Sequence, residues 1–151
     1  MKRNTPVERG KVKRKKDMLI DNIKEVVEKD REVLFAYLYG SSMFQSIPFD
    51  SDIDVAVYLK PSDIKSYIGK EEGLTSALIA KLHTDKIDLR ILNAVPFLLQ
   101  YNVLEEGIPI FVRDESERVD FEIRVMNRFF ELKPYLDEYK RMLSLRIEAV
   151  I

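Results

Sequence analysis

Apolar positions recur along this chain with two spacings, one typical of helices and one typical of strands. Residues 17–30 place apolar side chains on one face at helical spacing and predict a helix. Residues 33–39 form a nearly continuous apolar run that stops at Gly40, which predicts a strand covered on both faces. A second run, residues 53–59, is closed by Pro61 and predicts the next strand.

The middle of the chain continues this alternation of helix and strand. Residues 62–83 predict one or two helices, with a break around Gly69 and Gly73. Residues 86–92 alternate between apolar and polar side chains, which predicts a third strand with one buried face.

The last third contains one more strand and a long helical region. Pro96 suits the first turn of a helix, and Gly107 can end it. Residues 108–112 predict a short fourth strand, and Pro109 favours an edge position because proline cannot donate a hydrogen bond.

A helical region follows from about residue 115 to the end, where we expect Pro134 to break or kink it. This order of elements predicts an α+β (mixed α/β) fold: a small mixed or antiparallel sheet of about four strands with helices packed on it.

Composition narrows the class of protein. The chain has 151 residues, 46% hydrophobic and 34% charged, which suits one globular domain. It contains no cysteine, so disulfides and thiolate metal sites are excluded, and its single histidine, His83, excludes any site that needs two. No apolar run approaches the ~20 residues of a membrane span. We therefore expect a cytoplasmic protein without membrane contact.

Charge is distributed unevenly along the chain. Residues 1–16 carry eight Lys or Arg against one Glu, a net charge of +7, while the remainder carries −8. A basic segment of this kind can contact nucleic acid, but we favour a solvated terminus. We predict a flexible basic arm over residues 1–16 and a single domain over residues 17–151.

Two acids at the head of the second predicted strand are the first sign of chemistry. Asp52 and Asp54 are two residues apart, so their side chains project from the same face of a strand. Two carboxylates at one site repel each other unless a cation lies between them. Oxygen ligands without histidine or cysteine favour Mg²⁺, with Mn²⁺ as a substitute.

A third acid, Asp88, lies within the third predicted strand and shares a face with Arg90. If this strand pairs with residues 53–59, three carboxylates converge and can hold two metal ions ~3.5–4 Å apart, as phosphoryl transfer enzymes do. We therefore predict Asp52, Asp54 and Asp88 as catalytic and metal-ligating residues. Arg90 either steadies the acids or binds phosphate.

A glycine-serine pair precedes the acids. Gly40, at a strand end, lets the backbone approach a phosphate closely, and Ser41 adds a hydroxyl donor. A helical turn that follows would offer its free N–H groups to the phosphate. We predict Gly40, Ser41, Ser51 and Arg90 as nucleotide-binding residues for a nucleoside triphosphate.

With these residues in place, the chain resembles the nucleotidyltransferase superfamily typified by DNA polymerase β. That family carries Gly-Ser, about ten residues, Asp-x-Asp and a third acid on a later strand. Here the matching residues are Gly40, Ser41, Asp52, Asp54 and Asp88. The resemblance is strongest to minimal nucleotidyltransferases, which are single catalytic domains.

A narrower resemblance, to MntA antitoxins of the HEPN/MNT type, covers most of the chain. It is carried by Asp-Leu-Arg-Ile-Leu-Asn-Ala-Val-Pro-Phe-Leu-Leu at residues 88–99 and by residues 107–115, 118–122 and 132–136. MntA proteins transfer AMP from ATP to a tyrosine of a HEPN-domain ribonuclease toxin, HepT. The resemblance therefore implies a Mg²⁺-dependent adenylyltransferase with a HepT-like partner. Two alternatives stay open: a small-molecule acceptor, and an antitoxin that acts only by binding.

One position departs from the family pattern. Many minimal nucleotidyltransferases carry Arg-Gly four and five residues after the glycine, where this chain has Phe44 and Gln45. Either the triphosphate contacts are weaker here or another base, such as Arg90, supplies them. We expect the apolar residues of the C-terminal region to cover the sheet, and docking of part of this region to a partner helix stays open as the alternative. Homo-oligomerisation stays open.

Overall fold

The computed structural model describes residues 5–40 and 52–150, and in these ranges four strands form one mixed sheet. The strands are β1 (Val33–Tyr39), β2 (Ile53–Leu59), β3 (Ile87–Ile91) and β4 (Ile108–Val112). Their order is β3-β2-β1-β4. β1 pairs antiparallel with both β2 and β4, whereas β2 and β3 are parallel.

Helices cover both faces of this sheet. They are α1 (Pro6–Glu28), α2 (Ile64–Leu82), α3 (Phe97–Glu106) and α4 (Glu115–Val150), and a 3₁₀ turn, Leu92–Ala94, precedes α3. α1 and α2 pack on one face, and α3 and the first part of α4 pack on the other. No helix in the described residues is long and apolar enough to cross a membrane.

β1 is the central strand, and all seven of its residues are buried. Ala36 and Leu38 belong to the core beneath α1 and α2, whereas Tyr37 and Tyr39 belong to the core beneath α3 and α4. The prediction of a strand covered on both faces is therefore confirmed. β4 lies at an edge of the sheet, as Pro109 predicted.

The helix break predicted around Gly69 and Gly73 is wrong. α2 runs without interruption through Gly69 and Gly73. Each glycine costs a helix about 1 kcal/mol, but burial of an apolar side chain such as Leu78 contributes about 1.5–3 kcal/mol. The N-terminus of α2 is also capped, since the carboxylate of Asp63 accepts a hydrogen bond from the Ser66 backbone N–H at 2.8 Å. Burial and capping therefore outweigh the glycines.

α4 continues through Pro134 as one helix of 36 residues, so of the break or kink predicted there the break is absent. Proline removes the hydrogen bond to the carbonyl four residues earlier. Here that carbonyl belongs to Phe130, which is 62% exposed, so water can take the place of the missing N–H.

α1 begins at Pro6, eleven residues before the predicted start at residue 17. Its first turns have no apolar face to reveal them, but lysine and arginine are good helix formers and proline suits a first helical position. Residues 6–16 of the basic arm are thus helical. The division into an arm and one domain stays a prediction.

Candidate active site

The sheet register brings two of the predicted acids side by side. Asp54 of β2 lies opposite Asp88 of the parallel strand β3 and opposite Tyr39 of the antiparallel strand β1. Neighbouring strands are about 4.8 Å apart. Since Val55 and Leu89 face the α1–α2 core, strand alternation directs Asp54 and Asp88 to the opposite face. The condition that the sequence left open, pairing of the two acidic strands, is met.

The backbone of Gly40 lies against the carboxylate of Asp54. Gly40 has a φ of +70°, in the left-handed region that side chains rarely adopt. A Cβ atom at this position would overlap the Oδ2 atom of Asp54. Both observations require glycine here, whereas approach of this backbone to a phosphate stays a prediction.

Arg90 is bound to Asp88 rather than standing alone. Its Nε donates a hydrogen bond to the Asp88 Oδ1 at 2.9 Å, and this bond raises the pKa of Arg90. About half of the arginine side chain is exposed. Of its two predicted roles, the structure shows the first: Arg90 steadies an acid of the site. Its remaining N–H groups can still donate to phosphate.

Burial and neighbouring negative charge both raise the pKa of Asp54. Partial burial raises its pKa above the ordinary value, and the carboxylates of Asp88 and Asp52 raise it further. A bound cation would reverse this electrostatic cost. Hard carboxylate oxygens suit Mg²⁺ or Mn²⁺, so the donor set fits the predicted metal.

The set of metal ligands is incomplete in the part of the chain that the structure describes. Among these residues, no group of three or more acidic or histidine side chains has the geometry to hold a metal ion. Asp52 precedes β2 and is exposed. Joint metal binding by Asp52, Asp54 and Asp88 therefore stays a prediction.

Tyr39 is a site residue that the sequence did not reveal. It is only 8% exposed, and the sequence indicated nothing beyond core packing. Its pKa is raised to about 12, first by burial and then by the carboxylates of Asp54 and Asp88. Its phenol therefore stays protonated beside the acids at neutral pH. Its position directly before Gly40 was the one available signal.

The remaining predicted residues fall into two groups. Ser41, Phe44, Gln45 and Ser51 lie outside the described residues, so the predictions about them stay predictions. His83 is the C-cap of α2, with a φ of 54° and its backbone N–H bonded to the Ile79 carbonyl. Its place is at a helix end, as its position in the sequence suggested.

An α+β domain with neighbouring acids on adjacent strands and a glycine turn beside them has the architecture of a nucleotidyl-transferring enzyme. The family described as Polymerase beta, Nucleotidyltransferase matches residues 21–116, more than half of the chain. The protein belongs to this family, which confirms the resemblance that Gly40, Asp54 and Asp88 indicated.

Several solved structures of toxin-antitoxin proteins share this fold. One, described as a toxin-antitoxin with AMP-PNP, has a TM-score of 0.63 and 19% identity over 80% of this chain and 98% of its own. A MntA-HepT toxin-antitoxin has a TM-score of 0.59 and 18% identity over 82% and 98%. A tri-AMPylated Shewanella oneidensis HEPN toxin in complex with MNT antitoxin has a TM-score of 0.59 and 18% identity over 83% and 98%. No curated protein sequence matches this chain.

Proposed function

We propose that the protein is a Mg²⁺-dependent adenylyltransferase that transfers AMP from ATP to a tyrosine hydroxyl of a HEPN-domain ribonuclease toxin and so acts as its antitoxin. The observation that carries this proposal is the side-by-side register of Asp54 and Asp88, with Gly40 packed against the Asp54 carboxylate. In a chain of the nucleotidyltransferase family, carboxylates next to a glycine turn support a metal–nucleotide site, because carboxylate oxygens suit Mg²⁺ and a glycine backbone can approach phosphate closely.

The proposed transfer is a single displacement at the α-phosphorus of ATP. The tyrosine oxygen forms a bond to the α-phosphorus. The bond between the α-phosphorus and the oxygen that bridges it to the β-phosphorus breaks, and pyrophosphate leaves. The hydroxyl proton passes to the carboxylate of Asp88, which Arg90 holds in place. Mg²⁺ held by Asp52, Asp54 and Asp88 would neutralise phosphate charge and favour ionisation of the attacking hydroxyl.

The choice of acceptor rests on the structural neighbours and on the exposed end of α4. Three neighbours are toxin-antitoxin complexes, and one of these contains an AMPylated HEPN toxin. In this chain, Tyr135 and Tyr139 are 75% and 66% exposed on α4, so apolar surface is available for a protein partner.

The test is a transfer assay with the purified protein, a purified HEPN toxin encoded beside it, α-³²P-labelled ATP and Mg²⁺. We expect label on a toxin tyrosine, identified by mass spectrometry, together with loss of ribonuclease activity. Chelation with EDTA should abolish the label, and Mg²⁺ or Mn²⁺ should restore it.

Substitutions separate catalysis from simple binding. Asp54→Asn and Asp88→Asn should each reduce transfer at least 100-fold, because each removes a negative oxygen ligand, while the toxin still binds. Asp21→Asn, an exposed acid on the far-side helix α1, is the matched control and should transfer normally. If Asp54→Asn still silences the toxin at substoichiometric dose, the catalytic proposal fails. If label appears only on small hydroxyl compounds, the protein acceptor is wrong.

A further inference from the structure

A polar cavity lies on the α3–α4 face of the sheet, the face to which Asp54 and Asp88 also project, but farther along β2. It has a volume of about 310 Å³, within the range of small-molecule sites. Its walls come from β2, the 3₁₀ turn, α3 and α4. The polar lining residues are Tyr58, Asn93, Gln100, Arg124 and Arg128. Tyr58 is four residues beyond Asp54 along β2, which places the two positions ~13 Å apart.

Two arginines one helical turn apart give this cavity its charge. Arg124 donates from Nη2 to the Tyr58 hydroxyl oxygen at 3.3 Å, and the guanidinium of Arg128 lies 4.9 Å from the centre of the Phe97 ring. In the part of the chain that the structure describes, neither guanidinium contacts a carboxylate, and no acidic residue lines the cavity. Two cations therefore face the same space without an anion.

The other polar groups that line the cavity are fixed by hydrogen bonds and still have unused hydrogen-bond donors. Asn93 bonds both the N–H and the carbonyl of Leu59 at 2.9 Å, and Gln100 donates to the Leu92 carbonyl at 2.8 Å. Each amide nitrogen keeps a second N–H. The Tyr58 oxygen already accepts from Arg124, so its own proton remains to be donated. The fixed lining thus offers mainly donors, which is the chemistry that binds an anion.

We propose that this cavity binds the phosphate group of a small phosphate monoester, at a site separate from the Asp54–Asp88 edge. Paired guanidinium groups match phosphate oxygens in charge and geometry. The cavity exceeds the needs of a lone phosphate, and the rings of Tyr58 and Phe97 offer apolar walls to a base or sugar. Both inorganic phosphate and a mononucleotide carry the required group. The proposal requires no transfer activity.

The test is equilibrium dialysis with ³²P-labelled inorganic phosphate and AMP at constant ionic strength, in EDTA so that metal-bound nucleotide is excluded. We expect both ligands to bind the native protein and adenosine not to bind. Tighter binding of AMP than of phosphate would identify a nucleotide as the ligand, and equal binding would identify the phosphate group alone. The double variant Arg124→Gln/Arg128→Gln should weaken binding at least tenfold.

Three controls keep the outcome decisive. Arg146→Gln removes an exposed arginine from the same helix outside the cavity and should leave binding unchanged. Asp54→Asn should also leave it unchanged. If the double glutamine variant does not fold by circular dichroism, Arg124→Lys/Arg128→Lys keeps the charge but not the planar fork and should still weaken binding several-fold. The proposal is overturned if the native protein binds neither ligand, if the arginine variants bind normally, or if either control loses binding equally.

Discussion

At the scale of single residues, one buried hydroxyl links β1 to α4. The Tyr37 hydroxyl donates to Glu122 Oε1 at 2.5 Å, and Arg118 Nη1 donates to the same oxygen at 2.8 Å. Tyr37 is 1% exposed. Its pKa is raised far above 10, first by burial and then by the hydrogen bond to Glu122. Tyr37 therefore stays neutral in the folded protein at pH values where the unfolded chain ionises it.

This shift predicts a specific loss of stability in alkali. Because the folded pKa is raised, the stabilisation is complete below about pH 10 and declines as pH rises from there toward the folded pKa, by up to about 1.4 kcal/mol per pH unit. Tyr37→Phe has no phenolic hydroxyl to ionise. It should be about 1 kcal/mol less stable at pH 7 because a hydrogen bond is lost, and the deficit should shrink above pH 10.

Urea unfolding from pH 7 to 11 checks this prediction. Tyr135→Phe is the matched control, since Tyr135 is 75% exposed and should show no change at either end. A deficit in Tyr37→Phe that stays constant from pH 7 to 11 would contradict the raised pKa.

Gly40 carries the second prediction at this scale. Gly40→Ala would place a methyl group on the Asp54 carboxylate in a backbone conformation that strains alanine. We expect at least a tenfold loss of nucleotidyl transfer, because the carboxylate must move, and a loss of stability of about 1–3 kcal/mol from backbone strain. Both effects are measurable on one preparation, by the labelled-ATP assay and by urea unfolding.

Gly69→Ala provides the comparison for Gly40. Gly69 lies within α2, and nothing would contact a Cβ atom there. This substitution should raise stability by about 0.5–1 kcal/mol, as expected for alanine over glycine in a helix, and should leave transfer unchanged. Normal transfer by Gly40→Ala would mean that the Asp54 position is not critical.

At the scale of elements, the strands were predictable and several helix boundaries were not. β1 and β2 are apolar runs closed by Gly40 and Pro61, so local sequence contains both the strand and its end. The break expected around Gly69 and Gly73 is absent, and Pro134 does not end α4, because the local cost of these residues competes with burial and solvation, which depend on the folded structure.

The candidate site divides in the same way. Spacing alone identified Asp54 as one of a pair and Asp88 as a third acid, because alternation within a strand is a local property. The parallel pairing that brings them together joins residues 34 positions apart, so sequence could state it only as a condition. The packing of Tyr39 beside the acids likewise depends on the antiparallel pairing of β1 with β2. Long-range register, rather than residue type, was the missing information.

At the scale of the whole molecule, α4 is longer than the domain requires. A helix of 36 residues spans about 54 Å, yet its fully buried residues are Phe121 and Val125, both near its start. From residue 137 to residue 150 every position is exposed. Along this end, exposed apolar side chains recur at helical spacing. They are Tyr135, Tyr139, Met142, Leu143, Ile147 and Val150. Such a stripe typically packs against a partner helix.

We therefore predict that the end of α4 binds the toxin and adds little to the stability of the domain. Removing residues 137–151 should leave the urea midpoint nearly unchanged, because residues 137–150 are all exposed, while affinity for the HEPN toxin falls at least 100-fold in calorimetry.

Tyr139→Ser/Met142→Ser should reproduce much of that loss in the full-length chain, since it removes two of the largest apolar contacts from the stripe. Glu148→Ser, which changes an exposed residue on the opposite face of the same helix, should bind normally. Sedimentation of the free protein tests the alternative that a second copy of this chain covers the stripe. A dimer that the double serine variant dissociates, with toxin binding unaffected, would assign the stripe to a second copy of this chain instead.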